Sequence, residues 1–163
     1  MRLAIIADTH LPKGRRTLPD ECRRRLAAAD AILHAGDLRV ASVLDELRAL
    51  GPRVHAVHGN VDEPALLRRL PETLELELDG VRVAMVHDSG PAAGRLSRMR
   101  RRFPDADVVV FGHSHMPLLE VDESGPVLLN PGSPTERRRS PSHTMAVGEL
   151  DGGQARFELV ALD

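Results

Sequence analysis

The stretch Leu3-Ala4-Ile5-Ile6-Ala7-Asp8-Thr9-His10 decides how this chain is read. Five apolar residues without polar alternation predict a strand buried on both faces. The run then breaks on an aspartate and a histidine, two side chains that ligate metals. The same ending recurs along the chain. Ala31–Ala35 runs into Gly36-Asp37, and Val54–His58 into Gly59-Asn60-Val61-Asp62. Val81–Val86 runs into His87, and Val108–Phe111 into Gly112-His113-Ser114-His115. Polar residues just past strand ends line the rim where α/β sheets bind ligands. Gly36, Gly59 and Gly112 sit directly before the polar residue, which suits a tight turn and a close approach of other groups to the backbone.

The segments between these runs set the fold class. Helices are predicted over 19–29 with Pro19 in the first turn, over 40–50 up to Gly51-Pro52, over 64–70 between Pro64 and Pro71, and over 91–102 ahead of Pro104. Short strands are predicted at 31–34, 53–57 and 107–111. Three hairpins follow: 73–78 with 81–87 around Asp79-Gly80, 117–121 with 126–130 around Glu123-Ser124-Gly125, and 144–150 with 154–160 around Asp151-Gly152-Gly153. The first half is βαβα and calls for parallel strands, whereas the second half is rich in hairpins. The expectation is an α/β (α+β) fold of two mixed sheets packed together with helices outside, in one domain over 1–163. Residues 131–143 hold three Pro, three Ser and the Arg137-Arg138-Arg139 run, and read as a surface loop, the least ordered part of the chain.

Composition excludes several functions. The 22 basic residues nearly balance the 24 acidic ones, for a formal charge of −2, so general binding to nucleic acid or to an anionic membrane has no electrostatic basis. Trp and Tyr are absent, and only Phe103, Phe111 and Phe157 could stack on a base. The Arg clusters at 23–25 and 100–102 read as solvated helix faces. Cys22 is alone, so no intrachain disulfide forms, and its helical setting marks it as packing rather than as a nucleophile. No segment approaches the ~18 apolar residues of a membrane span, and the chain is expected in the cytoplasm.

Residues at i and i+2 leaving a strand can turn toward one ion, as with Asp8 and His10 or His113 and His115. Asp37, with two carboxylate oxygens, is the candidate to bridge two ions. Mixed nitrogen and oxygen donors suit Mn²⁺, Fe or Zn²⁺ better than Ca²⁺. Two divalent ions balanced only by Asp8 and Asp37 leave a net positive pocket, which fits a hydroxide and a phosphoryl group. Each short motif alone is more often a capped strand end. All five in this order, each after an apolar run, are not explained that way.

The order Asp-x-His, Gly-Asp, Gly-Asn-x-Asp, His, Gly-His-x-His resembles the calcineurin-like metallophosphoesterases, and in length and spacing their small YfcE-like phosphodiesterase branch. Asn130-Pro131-Gly132-Ser133 is also typical of that branch. The resemblance implies a four-layer αββα sandwich and two divalent ions, Mn²⁺ foremost, with Fe, Ni²⁺ or Zn²⁺ as alternatives. Asp8, His10, Asp37 and His115 would hold the first ion; Asp37, Asn60, His87 and His113 would hold the second. Asp37 would bridge a hydroxide-bearing dinuclear centre, and Asn60 would also touch the phosphate of a small phosphoester. A homodimer or higher homo-oligomer is common among such relatives.

The chain departs from the wider superfamily at Val61, where many members carry a histidine that protonates the leaving oxygen. His34 and His58 are candidates to orient a ligand or phosphate from behind, whereas His55 reads as ordinary. Asp62 would shape the turn after Asn60, Asp88 could orient its neighbour His87, and the 137–139 arginines are a lesser candidate for substrate contact. Two alternatives are a non-catalytic, metal-binding interaction scaffold on the same fold, like the retromer subunit, and a phosphomonoesterase or nucleotide hydrolase.

Overall fold

A computed structural model describes residues 1–163. Its first sheet holds β1 (Arg2–Ile6), β2 (Ala31–His34), β3 (Arg53–Ala56), β9 (Thr144–Asp151) and β10 (Gln154–Ala161) in the order β10-β9-β1-β2-β3. The β1-β2-β3 core is parallel, and β9 and β10 run antiparallel at one side. The second sheet holds β4 (Thr73–Leu78), β5 (Val81–Val86), β6 (Val108–Val110), β7 (Leu118–Glu120) and β8 (Val127–Asn130) in the order β4-β5-β6-β8-β7. Here β5, β6 and β8 are parallel, while β4 and β7 are antiparallel edges. Both sheets are mixed, and all three predicted hairpins are present.

Helices α1 (Asp20–Ala28), α2 (Ala41–Ala49) and α3 (Pro64–Arg69) cover the outer face of the first sheet, and α4 (Arg95–Arg102) covers that of the second. This is the αββα arrangement. The unbroken apolar run of β1 is explained by its two faces. Leu3, Ile5 and Ala7 enter the core between the sheets, while Ala4 and Ile6 pack with Cys22, Leu26, Leu44 and Leu47 under the helices. Cys22 is fully buried, and burial pushes its thiol up to about 12, so it is no nucleophile.

Helix α4 starts later than the 91–102 predicted for it. Gly94 at its N-cap has φ of 71°, and residues 88–94 form a loop gripped by Arg98, which donates to the carbonyls of Ser89, Pro91 and Ala93. The 131–143 segment is only in part the surface loop that its composition suggests. Residues 131–135 and Ser140 are buried, while Arg137, Arg138, Arg139 and Pro141 are exposed. Hydroxyls at Ser133 and Thr135 satisfy backbone groups of the Asp8-Thr9 turn, which draws the loop inward.

Candidate metal centre

The strand-end turns meet at one rim of the two sheets. Asp8 N–H donates to Gly36 O and His10 N–H to Asp37 O, so the first turn is laced to the second. Gly112 N–H donates to His87 O, joining the second sheet's turns to each other. Across the sheets, His113 N–H donates to Asp8 Oδ1 at 3.2 Å.

All seven candidate ligands are brought together. Asp8, His10 and His115 form one triad with ligand atoms within 4.8 Å of one another, and Asp8, Asp37 and His87 form another. Asp37 Oδ2 spans the two sides, 3.4 Å from His10 Nε2 and 3.1 Å from His87 Nε2. His113 lies outside both triads and is connected through Asn60, whose Oδ1 is 3.1 Å from His113 Nδ1 and 3.1 Å from His87 Nε2.

Two imidazoles are oriented from behind. His87 Nδ1–H donates to Ala35 O at 2.8 Å, and His115 Nδ1–H donates to Glu136 O at 2.5 Å. Both bonds need the proton on Nδ1, because a carbonyl only accepts. Nε2 of each ring then turns inward as the donor atom, the arrangement that fixes a metal-ligating tautomer.

The donor set fits cations. Asp8 Oδ2, His10 Nε2 and His115 Nε2 are buried and have no hydrogen-bond partner. Buried polar atoms are seldom left so. His87 Nε2 faces the oxygens of Asp37 and Asn60, with Asp8 Oδ1 at 4.0 Å, and it avoids lone-pair repulsion by holding a proton or facing an ion. Its pKa is accordingly raised: burial alone would lower it, but the hydrogen bond and charge of Asp37 outweigh that. Asp37 moves the other way. Burial would raise it, and the His87 contact holds it below the usual carboxylate range. Burial keeps His115 below the imidazole range against the pull of Asp8, and the charge of Arg138 acts in the same sense as burial.

Backbone strain marks the same place. Among residues other than glycine, Asp8, His10, Asp37, His113 and His115 have φ of 55°, 46°, 60°, 68° and 59°. Such conformations cost on the order of 1 kcal/mol each and persist where the surroundings over-determine them. Arg39 and Arg138 share the conformation, as does Asp79 in its hairpin turn.

The glycines of the motifs make room for these side chains. A Cβ on Gly59 would lie 2.1 Å from Asp37 Oδ1, one on Gly112 2.8 Å from Asp8 Oδ2, and one on Gly36 2.7 Å from His87 Nδ1.

The lesser candidates separate. His34 is fully buried; its Nδ1 accepts from Gly36 N–H, so its Nε2–H donates to Thr9 Oγ1 at 3.1 Å. Burial pushes its pKa down to about 3, which keeps it neutral behind the site. The His58 side chain makes no hydrogen bond; its backbone N–H donates to Pro71 O, so no bond ties it to the site. Asp88 does not orient His87. Its Oδ2 lies 3.9 Å from His113 Nε2, because the turn after β5 carries it past the ring of its neighbour. Asp62 does more than shape one turn. Its carboxylate accepts from the N–H groups of Asp37, Arg39 and Gly59, stapling two loops together, and burial raises its pKa.

Three supporting residues escaped the sequence reading: Thr9, Thr135 and Glu136. Thr135 Oγ1 donates to Thr9 O at 2.6 Å, and Glu136 supplies the carbonyl that holds His115. The adjacency of Thr135 and Glu136 to Ser133 was the only available signal.

The model of the calcineurin-like phosphoesterase superfamily domain matches residues 1–153. The chain belongs to that superfamily. Its relatives include a "probable metallophosphoesterase" of Methanothermobacter thermautotrophicus, 33% identical over 162 residues, covering 98% of this chain and 92% of that protein. A Thermotoga maritima protein solved by NMR superposes with a TM-score of 0.76 at 34% identity, over 98% of each chain. Entamoeba histolytica Vps29, solved with zinc, superposes with a TM-score of 0.78 over the full length of both chains, and at 24% identity this shows a shared fold alone. Family and fold of this calcineurin-like phosphoesterase thus agree with the strand-end motifs. No helix in it is long and apolar enough to cross a membrane.

Proposed function

We propose that this superfamily member is a phosphodiesterase that uses two divalent ions on small phosphoesters. The observation that carries the reading is the set of buried, partnerless ligand atoms on Asp8, His10 and His115 beside the pre-turned ring of His87. Asp8, His10, Asp37 and His115 would hold one ion, and Asp37, Asn60, His87 and His113 the other. Manganese is the first ion to test, with iron, nickel and zinc as alternatives. When bound, such ions supply a hydrolytic water of lowered pKa and positive charge for the phosphoryl oxygens.

The chain's own residues position and discriminate. Asn60 turns Oδ1 toward His87 and His113, which leaves its amide N–H₂ free to donate to a phosphoryl oxygen. Asp37 is held at both ends, its backbone N–H by Asp62 and its Oδ1 by Val61 N–H at 3.0 Å, so it reorganises little during reaction. Val61 is 41% exposed and carries no proton to give. The departing oxygen therefore leaves as an anion, and a general acid's contribution of ~10²–10⁴ is forgone on poor leaving groups. Aryl diesters are expected to react far faster than alkyl diesters.

A metal-binding scaffold on the same fold would hold the same ions, so turnover rather than metal content separates it from an enzyme. The deciding experiment strips the protein with chelator, reloads it with Mn²⁺, Fe²⁺, Ni²⁺ or Zn²⁺, and assays paired aryl mono- and diesters. The diester should be the better substrate with at least one metal, and Asp37→Asn should lose bound metal and activity together. Full metal content and activity in Asp37→Asn would defeat the reading.

A further inference from the structure

The Arg137-Arg138-Arg139 run is a motif that the chemistry above leaves unused. The three side chains have different fates. Arg137 folds back on its own loop, its Nη1 donating to Pro141 O at 2.8 Å. Arg139 is exposed and makes no hydrogen bond or ion pair. Arg138 reaches back to the candidate centre, where its Nη1 donates to the carbonyl of His113 at 3.1 Å. Its φ of 49° gives it the strained backbone that five of the ligands adopt, as Arg39 and Asp79 also do.

Two other cations near the rim are neutralised by a carboxylate, whereas Arg15 is exposed and unpaired and Arg39, like Arg138, is held by one backbone carbonyl. Lys13 and Arg16 both pair with Glu136, at 3.0 and 3.4 Å. Arg39 Nη1 donates to Pro12 O at 2.6 Å. Asp88 faces His113. Arg138 has no carboxylate partner and commits one of its five N–H donors, so a guanidinium with open donors stands anchored beside the centre. Anchoring matters, because a side chain already pinned loses less rotamer freedom when a ligand arrives. Both the Arg138 contact and the one from the His113 ring to Asn60 are solvent-exposed, and Arg138 holds the backbone of His113 rather than its ring. The open donors therefore face solvent at the edge of the centre, within reach of an incoming ligand.

We propose that Arg138 is a specificity-determining residue that binds a second anionic group of the substrate. The preferred substrates are then phosphodiesters whose retained alcohol carries a carboxylate or a further phosphate. This rests on the phosphoesterase reading, and the test separates the two.

The test compares two aryl diesters with the same leaving group, one with a retained 2-carboxyethyl group and one with a retained propyl group, on the metal-loaded protein. The wild type should favour the charged ester by about two- to fivefold in kcat/KM, the upper part of the range for one exposed but well-aligned charge pair. Arg138→Gln should bring that ratio close to one, and Arg139→Gln should leave the ratio intact. A wild type without preference overturns the proposal. So does an equal loss on both esters in Arg138→Gln, which would place Arg138 on the scissile phosphate. So does an Arg139→Gln effect as large as that of Arg138→Gln, which would mean diffuse attraction only. If neither ester is cleaved with any metal, the phosphoesterase reading falls. Calorimetric titration with the two corresponding alkyl phosphate monoesters then decides the role of Arg138. Tighter binding of the charged one that vanishes in Arg138→Gln supports the proposal, and equal binding overturns it.

Discussion

His34 sits neutral in a fully buried position, which makes folding sensitive to acid. Its pKa is pushed from the ordinary 6.5 down to about 3, by burial first and then by the charge of His87. Between those two values the unfolded chain binds a proton that the folded chain refuses. Stability therefore falls as pH falls through this window, and it is regained as pH rises above the unfolded value. Each pH unit inside the window is worth about 1.4 kcal/mol, so going from neutral pH to about 4.5 removes roughly 2.7 kcal/mol. That is a large share of a typical stability of about 5–15 kcal/mol. Other groups titrate over the same range, and His34→Asn isolates the effect. Asn Oδ1 can replace Nδ1 as the acceptor for Gly36 N–H, but no proton can be taken up. The variant loses the Thr9 contact and some packing, so it starts about 1–3 kcal/mol less stable. Its deficit should shrink by roughly 2–3 kcal/mol on acidification, because only the wild type loses the His34 contribution. Urea unfolding of chelator-treated protein, followed by far-UV circular dichroism because the chain has no Trp or Tyr, measures this directly. A difference between the two proteins that stays constant across the range would refute the buried, neutral state of His34.

Ser133→Ala should damage both stability and metal binding. Ser133 Oγ donates to Asp8 O at 2.7 Å and accepts from Glu136 N–H at 2.8 Å, so its loss leaves buried groups unpaired at ~2–4 kcal/mol, read from the urea midpoint. Metal affinity should drop about 10–100-fold in chelator competition, since the Asp8 and His115 turns loosen together. Gly59→Ala must displace Asp37, because the new Cβ would lie 2.1 Å from Oδ1, and bound-metal analysis should show clearly fewer than two ions per chain. Metal binding should release protons and weaken as pH falls, since an ion has to displace the proton that Asp37 and Asp8 favour on His87 despite its burial; calorimetry in buffers of different ionisation enthalpy counts them.

Much of this protein is legible along the chain. Apolar runs at 3–7, 31–35, 54–58, 81–86 and 108–111 specify parallel strands, and turn pairs such as Asp79-Gly80 specify hairpins, because both signals are local periodicities. The residue that follows each run marks the rim, so the seven candidate ligands are legible in the sequence. What tertiary structure alone decided is how those residues are held. Ser133 reaches Asp8 across 125 positions, His87 reaches Ala35 across 52, and Asp62 reaches Asp37 across 25. Nothing local distinguishes a serine that props up a ligand from one that merely turns a loop. Pro-, Ser- and Arg-rich composition read 131–143 as a surface loop for the same reason, although its Ser133 and Thr135 hydroxyls turn inside to pair the backbone carbonyls of Asp8 and Thr9. Asp88 faced His113 rather than His87, because a side chain's partner depends on which strand lies alongside, and pairing between distant strands is settled only when the two sheets pack.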